Sequence, residues 1–265
     1  MPRLSTSIPA LVGGLALGLS LAARADLQDE IQVYDDAINA PGQFGLELHV
    51  NATPKGRSTP NYPGEVPPRG ALRTTPEFSW GVNRTTELGL YVPALLRPDG
   101  TPDVAGAKVR LKWLPLQPEN GRGAFGGVNF ELSHLGRRYS ESRTTLESRF
   151  IGGWRDPDWL VAVNPILGFA LSPGFRGGGP DLELGVKVAR KLVGGVAGGF
   201  EYYTSRGAWQ HGLPWQQQDN RLYLAFDVDR EPWVFNVGLG YGLTNAADRW
   251  TVKAIFDIPI GHDTH

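Results

Sequence analysis

The sequence contains no cysteine, so it forms no disulfide and offers no thiolate to a metal. Beyond its first residues it has no run of about 20 apolar side chains, which excludes a helical membrane span. It has no basic excess: 26 Lys and Arg stand against 27 Asp and Glu, so the electrostatic footprint of a nucleic-acid binder is missing. The glycine-rich stretch 194–199 lacks the Gly-Lys-Ser/Thr ending and the following helix of a phosphate loop. Calcium-loop spacing is absent as well. No cofactor, metal or nucleic acid is expected. The terminal His262, Asp263 and His265 read as a tail rather than as ligands.

What is present begins with a leader. Arg3 precedes an apolar stretch, 8–21, and Ala23-Arg24-Ala25 has the small-x-small form of a cleavage site. Residues 1–25 are therefore expected to be an export signal and 26–265 the mature chain. Within it, 220–242 shows the governing pattern. Leu222, Leu224, Phe226 and Val228 alternate with Arg221, Tyr223, Ala225 and Asp227; after a four-residue break, Trp233, Phe235, Val237, Leu239 and Tyr241 resume the beat. Period two means strands. The same reading predicts twelve, at 43–50, 71–82, 86–95, 105–114, 124–133, 145–154, 159–171, 181–189, 193–204, 220–228, 233–242 and 249–260. Most have the roughly 9–11 residues that a tilted strand needs to cross a bilayer.

The connections alternate in length. Short turns are expected at 83–85, 155–158, 190–192 and 229–232, and long loops at 51–70, 96–104, 134–144, 172–180, 205–219 and 243–248; the link 115–123 is longer than its class. Short turns at one end and long loops at the other describe a transmembrane barrel. Trp80, Trp113, Trp154, Trp159 and Trp233 all fall at the short-turn end and Trp250 at the other, as the aromatic girdles of a lipid-facing wall do. The expected fold is all-β, a single antiparallel transmembrane barrel of twelve strands over 43–265 in a Gram-negative outer membrane. Pro76 and Pro165, inside strands, are expected at bulges or bends.

The face opposite the apolar one then lines a lumen. It collects the acids Glu47, Glu77, Glu87, Glu131, Glu147, Glu183, Glu201, Asp227 and Asp257. It also collects His49 and the bases Arg73, Lys108, Arg110, Lys112, Arg149, Lys187, Arg221 and Lys253. Two readings follow: a polar path whose fixed charges select solutes, or a closed structural or interaction barrel braced by ion pairs. Lys108, Arg110 and Lys112 form a basic ladder that Glu87 and Glu131 can neutralise. The acidic segment 26–42, with Asp29, Glu30, Asp35 and Asp36, is either a plug that pairs with that ladder or a periplasmic tail.

DLQDEIQVYDDAINAPGQFGLELHVN (26–51) followed by PEFSWGVNRTTELGLYVP (76–93) resembles a family of outer-membrane barrels named for a phenol meta-cleavage degradation pathway. The resemblance rests on the acidic start with Tyr34, the first strand, and the Glu87–Leu90 strand after a tight turn. It implies a barrel that passes small, aromatic or hydrophobic compounds, and it brings no catalytic residues. A lipid hydrolase needs a Ser–His pair on the outer wall. His134 is the one histidine so placed, and the hairpin sets it opposite Thr144 rather than a serine; no enzyme is expected. The remaining expected partners are outer-membrane lipids, with lipopolysaccharide phosphates available to Lys55, Arg57, Arg69, Arg137, Arg138 and Arg143 in the long loops. The sequence carries no signal for an oligomeric state.

Overall fold

Alternating runs rich in β-branched and aromatic residues pair side by side once a turn reverses the chain. The computed structural model describes residues 29–258 apart from Gly178 and Pro232. The expected leader at 1–25, the start of the acidic segment at 26–28 and the tail at 261–265 lie outside the described residues. Fourteen strand segments form: β1 (Phe44–Lys55), β2 (Leu72–Asn83), β3 (Thr86–Tyr91), β4 (Ala94–Leu96), β5 (Pro102–Val104), β6 (Gly106–Leu116) and β7 (Gly123–Leu135), then β8 (Thr144–Arg155), β9 (Trp159–Ala170), β10 (Asp181–Val193), β11 (Val196–Ala208), β12 (Asp219–Arg230), β13 (Trp233–Gly242) and β14 (Trp250–Ile258). One 3-10 turn, Trp215–Gln217, is the only helical element among the described residues.

Neighbouring strands run antiparallel, and β1 pairs with both β2 and β14, so the sheet closes on itself. The short β4 continues the line of β3, pairs with β2, and forms a hairpin with β5 just ahead of β6. The fourteen segments therefore build a closed barrel of twelve strands. Closure removes the open edges that would otherwise expose unpaired backbone groups to lipid.

Four local expectations change. The strand read at 86–95 is broken after Tyr91, because Val92 donates to Pro76 O at 3.1 Å while neither Pro76 nor Pro93 has an N–H to return. Pro165 makes no bulge: the β8–β9 register is the same on either side of it, and only the pairs at Phe150 and Ile151 are missing. The turn expected at 190–192 lies instead at Gly194-Gly195, whose φ values of 52° and 77° suit a two-residue hairpin turn. Strand β1 continues past residue 50 to Lys55, which carries the wall beyond the apolar band. The long link after β6 is a self-contained turn with a Glu119–Arg122 bridge and positive φ at Asn120 and Gly121.

Burial is inverted relative to a soluble protein. Leu88, Leu90, Val109, Leu111, Phe130, Leu132, Leu222 and Leu224 are exposed, while Glu87, Lys108, Arg110, Glu131 and Arg221 between them are buried. A second sheet against the apolar face would bury it; the outer face is instead bare, as a wall solvated by lipid must be. Trp80, Trp113, Trp154 and Trp159 are exposed around the short-turn end. Trp233 opens β13 at that end, and its side chain lies outside the described set. At the opposite end Trp250 is exposed and packs edge-to-face on Tyr241, with ring centroids 4.9 Å apart.

Candidate permeation path

The inner wall is a connected set of charges. Arg110 on β6 reaches Glu77 on β2 and Glu87 on β3, each at 2.5 Å, and Lys112 lies 3.7 Å from Glu87. Lys108 lies 3.1 Å from Glu131 on β7. His49 Nε2 sits 3.2 Å from Glu77 and 3.7 Å from Glu47. Arg149 pairs with Glu147 at 2.9 Å, Lys187 with Asp227 at 2.8 Å, and Lys253 with Glu201. Arg221 pairs with Asp219 and lies 3.8 Å from Asp248. Antiparallel register explains the contacts between neighbouring strands. Glu87 is directly opposite Lys112 and diagonal to Arg110, which faces Gly89, and Glu131 is diagonal to Lys108, which faces Ser133, so inward charges of opposite sign meet across the ladder. Of the remaining inward residues, Glu183 borders a cavity at the long-loop end and Asp257 one at the turn end, and among the described residues Arg73 hydrogen-bonds to Thr53 Oγ1 at 3.3 Å.

The segment ahead of β1 runs inside the barrel. It bends at the turn end, where Gly42 donates to Gly81 O at 2.7 Å and Gln43 to Ala40 O at 3.0 Å. Asn39 N then donates to Glu87 at 2.8 Å, and its amide donates to Ser79 Oγ at 2.7 Å. Higher up, Asn164 on β9 clasps Tyr34 by its main chain: Tyr34 N donates to Asn164 Oδ1 at 2.6 Å, and Asn164 Nδ2 donates to Tyr34 O at 2.9 Å. Arg149 donates to Gln32 O at 2.9 Å, Lys253 to Ile31 O at 3.0 Å and Asn51 to Asp29 O at 2.9 Å. The segment's acids pair with the wall as well: Asp29 with Lys108 at 2.8 Å, and Asp36 with Arg155 at 2.7 Å.

Tyr34 is the centre of the arrangement, with 3% of its surface exposed. Its hydroxyl shares a hydrogen bond of 2.9 Å with that of Tyr91 and accepts one from Arg110 at 3.3 Å. Three cations ring its aromatic face, Arg149 at 4.4 Å, Lys112 at 5.1 Å and Arg110 at 5.7 Å from the centroid. With Val33, it packs on inward-facing Leu114, Phe125, Ile151 and Ala162. This apolar patch at the turn end of β6–β9 breaks the polar rule for a lumen. For three of the four the signal was in the sequence, since Leu114, Phe125 and Ile151 share parity with the inward charges of their strands, whereas β9 carries no charge to mark Ala162. Of the clasping residues, Tyr91 and Asn51 share that parity with Glu87 and with Glu47 and His49, and Asn164 has no charge on its strand to mark it.

The remaining lumen is divided in two. A cavity of 1260 Å³ opens toward the long loops and one of 540 Å³ toward the turns, and Gln32 of the segment borders both. The loop 56–71 narrows the larger mouth. There, Arg57 holds Glu65 by two hydrogen bonds, of 2.7 and 2.5 Å, and Val66 N donates to Arg138 O at 2.9 Å. His134, on the outer face, contacts Thr144 Oγ1 at 3.0 Å and Arg143 at 3.2 Å, while Ser133 points inward and donates to Glu131.

No family model matches the sequence, and comparison with curated proteins returned no match. In structure the chain is similar to an outer membrane channel from Pseudomonas putida F1, with a TM-score of 0.54 and 9% identity over 86% of this chain and 100% of that one. It is similar to the KdgM porin in complex with disordered oligogalacturonate, with a TM-score of 0.53 and 9% identity over 82% and 99%. The shared property is the fold, that of outer-membrane barrels.

Proposed function

We propose that the protein is an outer-membrane channel for small molecules, with short turns in the periplasm and long loops outside, and that residues 29–43 are its plug. The observation that carries this reading is the partition of one charged lumen into two cavities by a segment fastened at every level it passes. A braced structural barrel needs no such device. Its inward charges already neutralise one another, and a barrel of about eight strands fills its own interior, whereas twelve strands leave space to fill. The resemblance to the phenol meta-cleavage family supports membership there and an aromatic or hydrophobic solute. Against a lipid hydrolase stands His134, whose neighbours are a threonine and an arginine rather than a serine nucleophile. Lipopolysaccharide contact falls to the loop cations other than Arg57 and Arg138, which are engaged with Glu65 and Asp103.

Single-channel conductance of the refolded mature protein, with and without residues 26–38, tests the proposal. Discrete openings that become frequent after truncation support a plugged channel. Unchanged conductance on truncation removes the plug, and silence from both folded forms removes the channel.

A further inference from the structure

Arg73 is the exception to pairing inside this barrel. It stands on β2 with its side chain turned inward, is 4% exposed and borders the larger cavity. Each of the other seven inward lysines and arginines has a carboxylate within 3.7 Å. Arg73 has one side-chain hydrogen bond, from Nη1 to the neutral Thr53 hydroxyl, and its buried Nε has no partner among the described residues. Several of the acids that border the same cavity are engaged elsewhere. Asp29 pairs with Lys108, Glu65 with Arg57, and Asp248 accepts from Arg57 N and lies beside Arg221.

A guanidinium does not escape this position by losing its proton, because it stays charged throughout the accessible pH range. A buried charge without a counterion is costly, and the planar fork of Arg suits a carboxylate that accepts two parallel bonds. The buried Thr53 hydroxyl accepts from Arg73 Nη1 and so fixes the guanidinium. Arg73 thus presents a held cation at the edge of a cavity large enough for a small organic molecule.

We propose that Arg73, positioned by Thr53, is the recognition subsite for the carboxylate of a small solute held in the larger cavity. The solute's passage rests on the channel reading above; the subsite itself does not. The test uses the folded full mature chain in detergent, with trifluoroacetate as probe and trifluoroacetamide as its uncharged counterpart, read by fluorine NMR. Saturable binding of trifluoroacetate is expected, with the amide at least tenfold weaker. Arg73→Gln should lose at least tenfold in affinity, and Arg137→Gln, exposed on a loop and outside the cavity lining, should lose nothing. Should Arg73→Gln fail to fold, as judged by heat-modifiable gel migration, Thr53→Val serves in its place, with a loss of several-fold expected. Equal binding by wild type and the folded variant, or by acid and amide, overturns the proposal. Binding in a barrel that never conducts leaves the subsite standing and sinks the channel reading; conduction without binding does the converse.

Discussion

Asn164 allows the plug to be loosened without altering the plug. Its side-chain amide donates to Tyr34 O and accepts from Tyr34 N, at 2.9 and 2.6 Å, so one wall residue holds the segment as a neighbouring strand would. Asn164→Ala removes both bonds. The cavities above and below open toward the two ends of the barrel, so the freed peptide groups are re-solvated once the segment leaves. The relevant cost is then the net value of a hydrogen bond, about 0.5–1.5 kcal/mol each. Two of them make about 1–3 kcal/mol, which raises the undocked population by about 5- to 140-fold. The lumen charges and the ring contacts of Tyr34 are unchanged, so conductance per opening should match that of the truncated protein. Open probability in planar bilayers measures the effect directly. If the folded variant opens no more often than wild type, while removal of residues 26–38 opens the channel, Asn164 does not hold the plug and the reasoning fails.

Other outcomes follow from the same geometry. Arg155→Ala releases Asp36 at the partly exposed turn end, where an ion pair is worth about 0.2–1 kcal/mol, so its open probability should rise no more than about fivefold. Leu224→Arg puts a charge in the middle of the lipid face and should lower the free energy of urea unfolding in bilayers by about 2–4 kcal/mol. Asp156, in the turn after β8, accepts from the backbone of Asp158 and Trp159, and these bonds hold its carboxyl below the usual carboxylate range. A lowered value means that its contribution is present above the ordinary value near about 4 and is lost as pH falls through the lowered one. Asp156→Asn keeps the acceptor oxygen but not the charge, so it should lower stability slightly at neutral pH and flatten the acid limb of a thermal-stability profile.

Most of the wall was legible because one period governs it. Where Leu222, Leu224 and Phe226 alternate with Arg221, Tyr223 and Ala225, parity alone assigns lipid and lumen, and the structure places them so. The breaks were harder to read for a local reason. Proline at 76 acts on the opposite strand, ending β3 at Tyr91 through a donor it lacks, and a pattern read along one strand does not see that. The interior was legible as a list of charges but not as a set of partners. Asn164 and Tyr34 lie 130 residues apart, and the isolation of Arg73 becomes evident only when each of its neighbours has been matched to another group.

That matching shapes how such a protein can change over generations. Along most of the inner wall, one altered charge strands its partner, so drift toward a different solute must proceed through linked exchanges, with a poorly folding intermediate between each pair. Arg73 strands no carboxylate when it is replaced. Of the inward cations, it is the one at which a lineage can explore a new preference in a single step.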